Sequence, residues 1–354
     1  MSRPHRGYGE TWAKTILMGE HSVVYGYPAV AVPIHSLKMR AWAIPTITGH
    51  AATLRSLGYY GPIDEAPEQF GGVRKAIEVA KSYAGASTLD FDIVTRSDFP
   101  AGRGLGSSAA ASGAVVRAIL DACGVTASRQ DVVGLTNRAE VITHGHPSGL
   151  DAVTTCGDDP VLFVKGAMTL IDVRMPAYLV IADSGIAGST KEAVDDVRAQ
   201  YRRERGRVEA ILQRLGTLAS QAARDLAEGG LNSLGRRMDD AHELLNALNI
   251  SHPVANDLVE RARRSGALGA KMTGGGLGGC IIALAADGVS ARSIKRDLLA
   301  GGAPAVWIHP LNQLDVEVDG GLDQEIEDEA ETGIEIDRNI AGGDVDTSHG
   351  RFRV

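Results

Sequence analysis

The sequence predicts a mixed α/β protein with two domains. The chain has 354 residues, which is long enough for two hydrophobic cores. Short apolar strands alternate with helical stretches along most of it, and a buried strand at 178–184 begins a second unit. We therefore expect a first domain over residues 12–165 and a second over residues 166–314, preceded by a flexible N-terminus at 1–11.

Charge is distributed unevenly along the chain. The net charge is −8, but residues 315–354 contain thirteen acidic residues and three arginines, a net of −10, so the remaining residues carry +2. Because this nearly neutral body has no cluster of basic residues, we expect no nucleic-acid partner. The acidic, glycine-rich segment 315–354 lacks core residues, and we expect it to be disordered.

The apolar runs and the cysteines argue against a membrane protein, a secreted protein and a cysteine-rich protein. No apolar run approaches the length of a membrane span, and the first residues lack the apolar core of a signal peptide. We therefore expect a cytoplasmic location and no membrane partner. Cys123, Cys156 and Cys280 are widely spaced without a C-x-x-C pair, so we expect neither a disulfide framework nor a cysteine metal site.

The first elements lead the chain to a glycine-rich stretch. A short buried strand begins at Trp12, includes Lys14 and stops at Gly19. This lysine is either a functional group or a side chain that reaches water from a sheet edge. The elements predicted next are strands at 29–34 and 38–44, a loop at 45–70, a helix at about 72–83 and a strand at 89–94.

The stretch P-A-G-R-G-L-G-S-S-A-A-A enters a helix that ends near residue 120. Its glycines permit positive φ, and Ser107 and Ser108 fall where the first N–H groups of a helix lack partners. This combination indicates an anion site suited to nucleotide phosphates. A dinucleotide-binding turn is disfavoured because no acid ends a second strand, and a Walker A loop is excluded because no lysine follows. A glycine-rich turn that caps a core helix is the remaining alternative.

Two carboxylates follow on different elements. Ser128 and Asp131 form a capping box for a helix that runs to about residue 143. Glu140 lies near the C-terminal end of this helix, where an acidic side chain opposes the helix dipole unless a cation is bound. Asp151 comes eleven residues later, beyond helix-breaking Pro147 and Gly149, so both carboxylates could face one pocket. A turn or cap aspartate is the alternative for Asp151.

The second half of the chain contains another glycine cluster. It begins with a hairpin around Gly166 and the strand at 178–184, followed by a polar turn, I-A-G-S-T-K-E. Helices are predicted at about 191–228 and 234–248 and after Ser251, and a last strand at 305–308. The segment K-M-T-G-G-G-L-G-G-C has five glycines in six positions, more than a tight turn needs, so we expect a close backbone approach there.

Three separated motifs carry a resemblance to a known family. A-K-T-I-L-M-G-E-H-S-V-V-Y-G, P-A-G-R-G-L-G-S-S-A-A and K-M-T-G-G-G-L-G-G-C resemble, in order and spacing, the signature motifs of GHMP kinases. The first of them, together with E-V-I-T-H-G-H-P-S-G-L-D, resembles the mevalonate kinases of that family. The resemblance covers about residues 12–310. It departs at Gly275, where alanine is often found, and at Arg103, where many mevalonate kinases have alanine.

The resemblance implies the two-domain GHMP kinase fold, with an N-terminal domain related to a ribosomal-protein fold and a ferredoxin-like C-terminal domain. It implies transfer of the γ-phosphoryl group of ATP to the C5 hydroxyl of mevalonate, with Mg²⁺ as cofactor and a homodimer as a possible assembly. Two alternatives stay open at this point. The acceptor could be another small alcohol, such as phosphomevalonate or homoserine, or the chain could be a nucleotide-binding sensor without turnover.

The resemblance also implies roles for individual residues. Asp151 and Lys14 would be catalytic, and Ser108 and Glu140 would bind Mg²⁺. The predicted phosphate-binding residues are Gly102, Arg103, Gly104, Leu105, Gly106, Ser107 and Ser108. The predicted substrate-binding residues are Lys14, Glu20, His21, Asp151, Thr190, Gly275 and Gly276.

Overall fold

The computed structural model describes residues 4–46, 50–144 and 147–312. The predicted acidic segment at 315–354 therefore lies outside the described residues. Residues 4–312 fall within one compact unit of the chain, which contains two β-sheets and their helices. Within the described ranges, no helix has both the length and the apolar character needed to cross a membrane.

The first sheet is built on one long strand. Its strands are β1 (Gly7–Met18), β2 (Ala29–Pro45), β3 (Thr53–Ser56), β4 (Tyr59–Pro62), β5 (Phe91–Ser97), β6 (Val161–Val164) and β7 (Ala167–Leu170). The strand order is β4-β3-β5-β2-β6-β7, with β1 also paired to β2, and only β3 and β5 run parallel. Because β2 has 17 residues, it pairs with β6 near its start and with β5 near its end.

Small residues bring a buried helix close to this sheet. The helices of this half are α1 (Gly71–Tyr83), α2 (Ser107–Ala122), α3 (Arg129–His144) and α4 (Leu150–Thr155). A Cβ on Gly9 of β1 would lie 2.1 Å from the carbonyl oxygen of Ala114, so the glycine allows α2 to pack directly on β1. The predicted capping box of α3 is confirmed: the Asp131 N–H donates to Ser128 Oγ at 3.1 Å, and the Ser128 N–H donates to the Asp131 carboxylate at 3.2 Å.

The second sheet confirms the ferredoxin-like arrangement. Its strands are β8 (Tyr178–Asp183), β9 (Gly269–Met272), β10 (Cys280–Ala285) and β11 (Val306–Pro310), in the order β11-β8-β10-β9, all antiparallel. The helices are α5 (Thr190–Arg203), α6 (Arg205–Glu228), α7 (Leu231–Ala247), α8 (Pro253–Arg264) and α9 (Gly288–Ala300). In chain order they give the strand–helix–strand–strand–helix–strand pattern of that fold, with additional helices in the first connection.

Several elements differ from their predicted bounds. Residues 7–11, predicted to be flexible, lie in β1, where polar and glycine positions hid the strand pattern. The two strands predicted at 29–34 and 38–44 are one strand, interrupted opposite β1 by a register shift between Trp12 and Ala13. The loop predicted at 45–70 contains the hairpin of β3 and β4, whose four-residue strands are too short for periodicity to reveal.

The second half also contains elements that the sequence did not predict. The helix predicted over 191–228 is divided at Glu204 into α5 and α6, and β9 and α9 were not predicted. Pairing of β7 with β6 places residues 167–170 in the first sheet. The boundary expected after residue 165 stays a prediction.

Candidate functional site

A cavity of about 480 Å³ lies where both glycine-rich segments meet β1 and the starts of α2, α4 and α5. It brings together eleven of the predicted site residues, which are Lys14, His21, Gly102, Gly104, Gly106, Ser107, Ser108, Glu140, Asp151, Thr190 and Gly275. These residues are spread over more than 260 positions of the sequence. Their convergence in one cavity makes it the candidate active site.

A larger cavity, of about 880 Å³, lies between α1 and the start of β5. It contains none of the predicted site residues. Two lysines in its wall are paired with acidic residues, with Lys75 2.6 Å from Glu78 and Lys81 2.8 Å from Asp90. Despite its larger volume, this cavity is therefore a weaker candidate for the active site than the 480 Å³ cavity.

The first glycine segment ends in an open helix N-terminus. Gly106 precedes α2 with a φ of 75°, and the first hydrogen bond of the helix runs from the Ala110 N–H to its carbonyl at 2.9 Å. The N–H groups in the first turn of α2, before Ala110, therefore make no hydrogen bonds within the helix and can bind an anion. A Cβ on Gly106 would lie 2.7 Å from Cγ of Lys14, so a side chain here would also displace that lysine.

Lys14 and Asp151 form an ion pair at the floor of the cavity. The distance from Lys14 Nζ to Asp151 Oδ1 is 2.9 Å, and the side chains are 5% and 40% exposed. The Lys14 N–H donates to the carbonyl of Leu105 at 2.9 Å, which fixes the lysine beside the glycine segment. Asp151 lies in the first turn of α4, where a carboxylate is favoured by the helix dipole.

Ser108 and Glu140 provide a second pair of oxygen-bearing groups. The Ser108 hydroxyl donates a hydrogen bond to Oε1 of Glu140 at 2.7 Å. Glu140 is only 2% exposed, and both residues line the cavity. A nearly buried carboxylate facing a cavity is suited to a cation, because an opposite charge compensates for its lost hydration.

The second glycine segment is held against the turn that follows β1. The hydroxyl of Thr273 lies 2.8 Å from that of Thr15, and His21 Nε2 lies 2.7 Å from the carbonyl oxygen of Gly275. Burial lowers the pKa of His21, so the neutral ring donates its Nε2–H to that carbonyl. A Cβ on Gly275 would lie 2.6 Å from Cα of Thr190, so the glycine allows the start of α5 to pack on this segment.

Four predicted site residues have other locations. The Arg103 guanidinium pairs with Asp183 at 2.9 Å, so it ties the first glycine segment to β8 instead of facing the cavity. Leu105 is 1% exposed, and its side chain belongs to the hydrophobic core. Neither side chain is therefore available to phosphate, and the predicted contact of these two residues stays a prediction for their backbone N–H groups.

Glu20 and Gly276 also lie behind the cavity wall. The Glu20 carboxylate accepts a hydrogen bond from Lys271 Nζ, and neither side chain is exposed. A Cβ on Gly276 would lie 2.3 Å from the carbonyl oxygen of Ile250, so this glycine allows contact between two backbone segments. The structure therefore gives both residues interior contacts where a contact with substrate was predicted.

Eleven other cavity residues were not among the predicted site residues, although Gly274 belongs to the glycine cluster for which a close backbone approach was predicted. These are Ile16, Val23, Val24, Ala109, Ser148, Leu150, Gly188, Ser189, Lys191, Val194 and Gly274. The apolar residues resemble ordinary core positions in the sequence, so no pattern distinguishes them. Lys191 did offer a signal, because a lysine in the first turn of a helix opposes the helix dipole, as Glu140 does at a helix end.

Family models match both halves of the chain. The model described as GHMP kinases N terminal domain matches residues 72–158, and the model described as GHMP kinases C terminal matches residues 222–303. These matches contain the first glycine segment with Glu140 and Asp151, and the second glycine segment, respectively.

Whole-chain similarities agree with these matches. The chain is 33% identical to mevalonate kinase of Thermococcus onnurineus over 318 residues, covering 83% of this chain and 93% of that protein. It is 34% identical to mevalonate kinase of Pyrococcus horikoshii, covering 83% and 92%. The crystal structure of L. major mevalonate kinase in complex with R-mevalonate matches with a TM-score of 0.77 and 25% identity, covering 88% of this chain and 98% of that one. From its motifs, its fold and these relatives, the chain belongs to the GHMP kinase family.

Proposed function

We propose that the chain transfers the γ-phosphoryl group of ATP to the C5 hydroxyl of mevalonate, giving 5-phosphomevalonate and ADP. The observation that carries this proposal is the Lys14–Asp151 pair, at 2.9 Å, in the same cavity as an open helix N-terminus. A site that only bound nucleotide would have no use for a carboxylate beside that lysine. Relatives with 33% and 34% identity over more than nine-tenths of their length are mevalonate kinases.

The N-terminus of α2 is suited to hold the phosphates of ATP. Its free N–H groups and the positive end of the helix dipole face the cavity beside Gly104 and Gly106. Phosphoryl transfer depends mainly on positioning and on neutralising charge, so this contact would contribute directly to the reaction. Backbone groups carry the contact, because the side chains of Arg103 and Leu105 are engaged elsewhere.

Ser108 and Glu140 are suited to hold Mg²⁺ together with the nucleotide. Among the described residues, no group of three or more His, Cys, Asp or Glu side chains is placed to hold a metal ion. A hydroxyl and a carboxylate fit an ion that prefers oxygen and keeps its other positions for phosphate and water. Bound Mg²⁺ would neutralise phosphate charge.

Asp151 and Lys14 are suited to the acceptor hydroxyl. The Asp151 carboxylate is partly exposed and can accept the proton of the C5 hydroxyl. The Lys14 ammonium group lies beside it and can stabilise negative charge on the attacking oxygen. His21, Thr190 and Gly275 border the same space and would shape the acceptor pocket.

An ADP-release assay with a panel of acceptors tests this function. Purified protein with ATP and Mg²⁺ would be given mevalonate, phosphomevalonate or homoserine, and the product would be identified by mass spectrometry. We expect ADP release with mevalonate and a product heavier by one phosphoryl group. Turnover restricted to another alcohol would contradict the choice of acceptor, and ATP binding without any phosphorylated product would identify a sensor.

A further inference from the structure

We propose that Lys191 binds the carboxylate of the acceptor, so that the cavity selects hydroxy acids over uncharged alcohols. The inference rests on the proposed function, since it concerns the acceptor of that reaction. Mevalonate carries a carboxylate at the end of its carbon chain opposite the C5 hydroxyl. A carboxylate that leaves water for a cavity requires an opposite charge or several hydrogen bonds.

The other cationic groups around the cavity have different partners. Lys14 is paired with Asp151 at the reacting end, with Nζ and Oδ1 2.9 Å apart. His21 donates to the Gly275 carbonyl, and its lowered pKa leaves the ring neutral. Arg103 is adjacent in sequence to cavity residues, but its guanidinium is paired with Asp183.

Lys191 is the remaining cation in the described part of the cavity wall. In the portion of the chain that the structure describes, no acidic side chain pairs with it. It is the second residue of α5, directly after the N-cap Ser189 and Thr190. Here its charge opposes the helix dipole, an arrangement that a bound anion would make favourable. Both the lysine and the helix N-terminus would attract the same carboxylate.

Apolar side chains provide a surface for the carbon chain of the acceptor. Val194 lies three residues after Lys191, on the same face of α5, and also lines the cavity. Val23, Val24 and Ile16 line the cavity as well. Val24 is 51% exposed, an unfavourable position that contact with a methyl-bearing chain would improve. The cavity therefore combines a reacting pair, an apolar surface and one available cation.

The experiment compares two acceptors in two variants of Lys191. Lys191→Met removes the charge and retains much of the stem, whereas Lys191→Arg retains a cation. Each would be assayed with mevalonate and with its primary amide, in which a neutral carboxamide replaces the carboxylate. We expect Lys191→Met to raise KM for mevalonate about 10- to 100-fold, the range of a charge-assisted hydrogen bond. KM for the amide and for ATP should change less than about threefold, and Lys191→Arg should stay close to the wild type.

Arg203→Met is the matched control. Arg203 is an exposed cation in the last turn of the same helix and does not line the cavity. Its loss changes the net charge equally without altering the wall, so KM for mevalonate should remain unchanged. A similar rise in both variants would indicate long-range attraction and overturn the direct contact.

Other outcomes separate this inference from the proposed reaction. Equal losses on mevalonate and the amide, or a rise in KM for ATP instead, would overturn the carboxylate contact. Calorimetry of mevalonate binding without turnover tests the contact independently of catalysis. A protein that binds mevalonate, loses at least tenfold affinity in Lys191→Met and forms no product would support the contact and contradict the reaction. Normal turnover with an unchanged KM for mevalonate in Lys191→Met would contradict the contact and support the reaction.

Discussion

Glu140 is a nearly buried carboxylate in the wall of the candidate site. It lies near the C-terminal end of α3, is 2% exposed and accepts a hydrogen bond from Ser108 at 2.7 Å. The helix dipole and the loss of hydration both disfavour a negative charge here. A bound cation would favour the charged carboxylate, and we propose Glu140 as a Mg²⁺ ligand on this basis.

Replacement of Glu140 by glutamine should raise the Mg²⁺ requirement. Glu140→Gln keeps the size of the side chain but removes the charge, so we expect the Mg²⁺ concentration for half-maximal ADP release to rise about tenfold, as for loss of one charge-assisted contact. The measurement is a Mg²⁺ titration at fixed ATP. Glu78→Gln, an exposed glutamate in α1, is the control and should titrate like the wild type. A Glu140→Gln titration that superimposes on that control would reject the ligand role.

Strand β9 and the turn after β1 are joined by a buried ion pair. Lys271 Nζ donates to the carboxylate of Glu20 and, at 2.7 Å, to the carbonyl of Met272. Burial raises the pKa of Glu20 and lowers that of Lys271, while the attraction between the two charges opposes both shifts. Such a pair fixes the relative position of the two elements, because either charge alone would be costly in the interior.

Loss of one member of this pair should destabilise the protein. Lys271→Met leaves Glu20 buried without its partner, which typically costs about 3–5 kcal/mol. We expect a clearly lower urea midpoint, with part of the loss recovered in the double variant Glu20→Gln with Lys271→Met. Lys75→Met, which breaks an exposed pair, should change stability by no more than about 0.5 kcal/mol. Equal midpoints for Lys271→Met and Lys75→Met would show that the buried pair has no such role.

Local patterns predicted some site residues and missed others for identifiable reasons. Glu140 was detectable because its charge conflicts with its position in a helix, and Lys14 because it interrupts an apolar strand. Spacing around glycines does not indicate where a side chain points, so it could not show that Leu105 enters the core. The Glu20–Lys271 pair joins residues 251 positions apart, a contact that no local pattern reports.

At the scale of the whole molecule, the site is assembled from both sheets. The Gly188 N–H donates to the carbonyl of Gly102 at 3.3 Å, and a Cβ on Gly104 would lie 3.5 Å from Cα of Gly274. Three loops thus meet backbone to backbone: one follows β5 of the first sheet, and two follow β8 and β9 at one end of the second sheet. Most of the helices and strands could be predicted individually from the sequence. The contacts between the three loops could not, because they depend on packing throughout the compact unit that includes residues 4–312.

The central claim is that Asp151 and Lys14 form the reacting end of a kinase site. The most direct measurement is the turnover of Asp151→Asn with mevalonate, together with its affinity for ATP. Asparagine keeps the size of the side chain but cannot accept the hydroxyl proton, so we predict a kcat lower by about 10²- to 10⁴-fold and an ATP Kd within about threefold of the wild type. Undiminished turnover in Asp151→Asn would contradict the account.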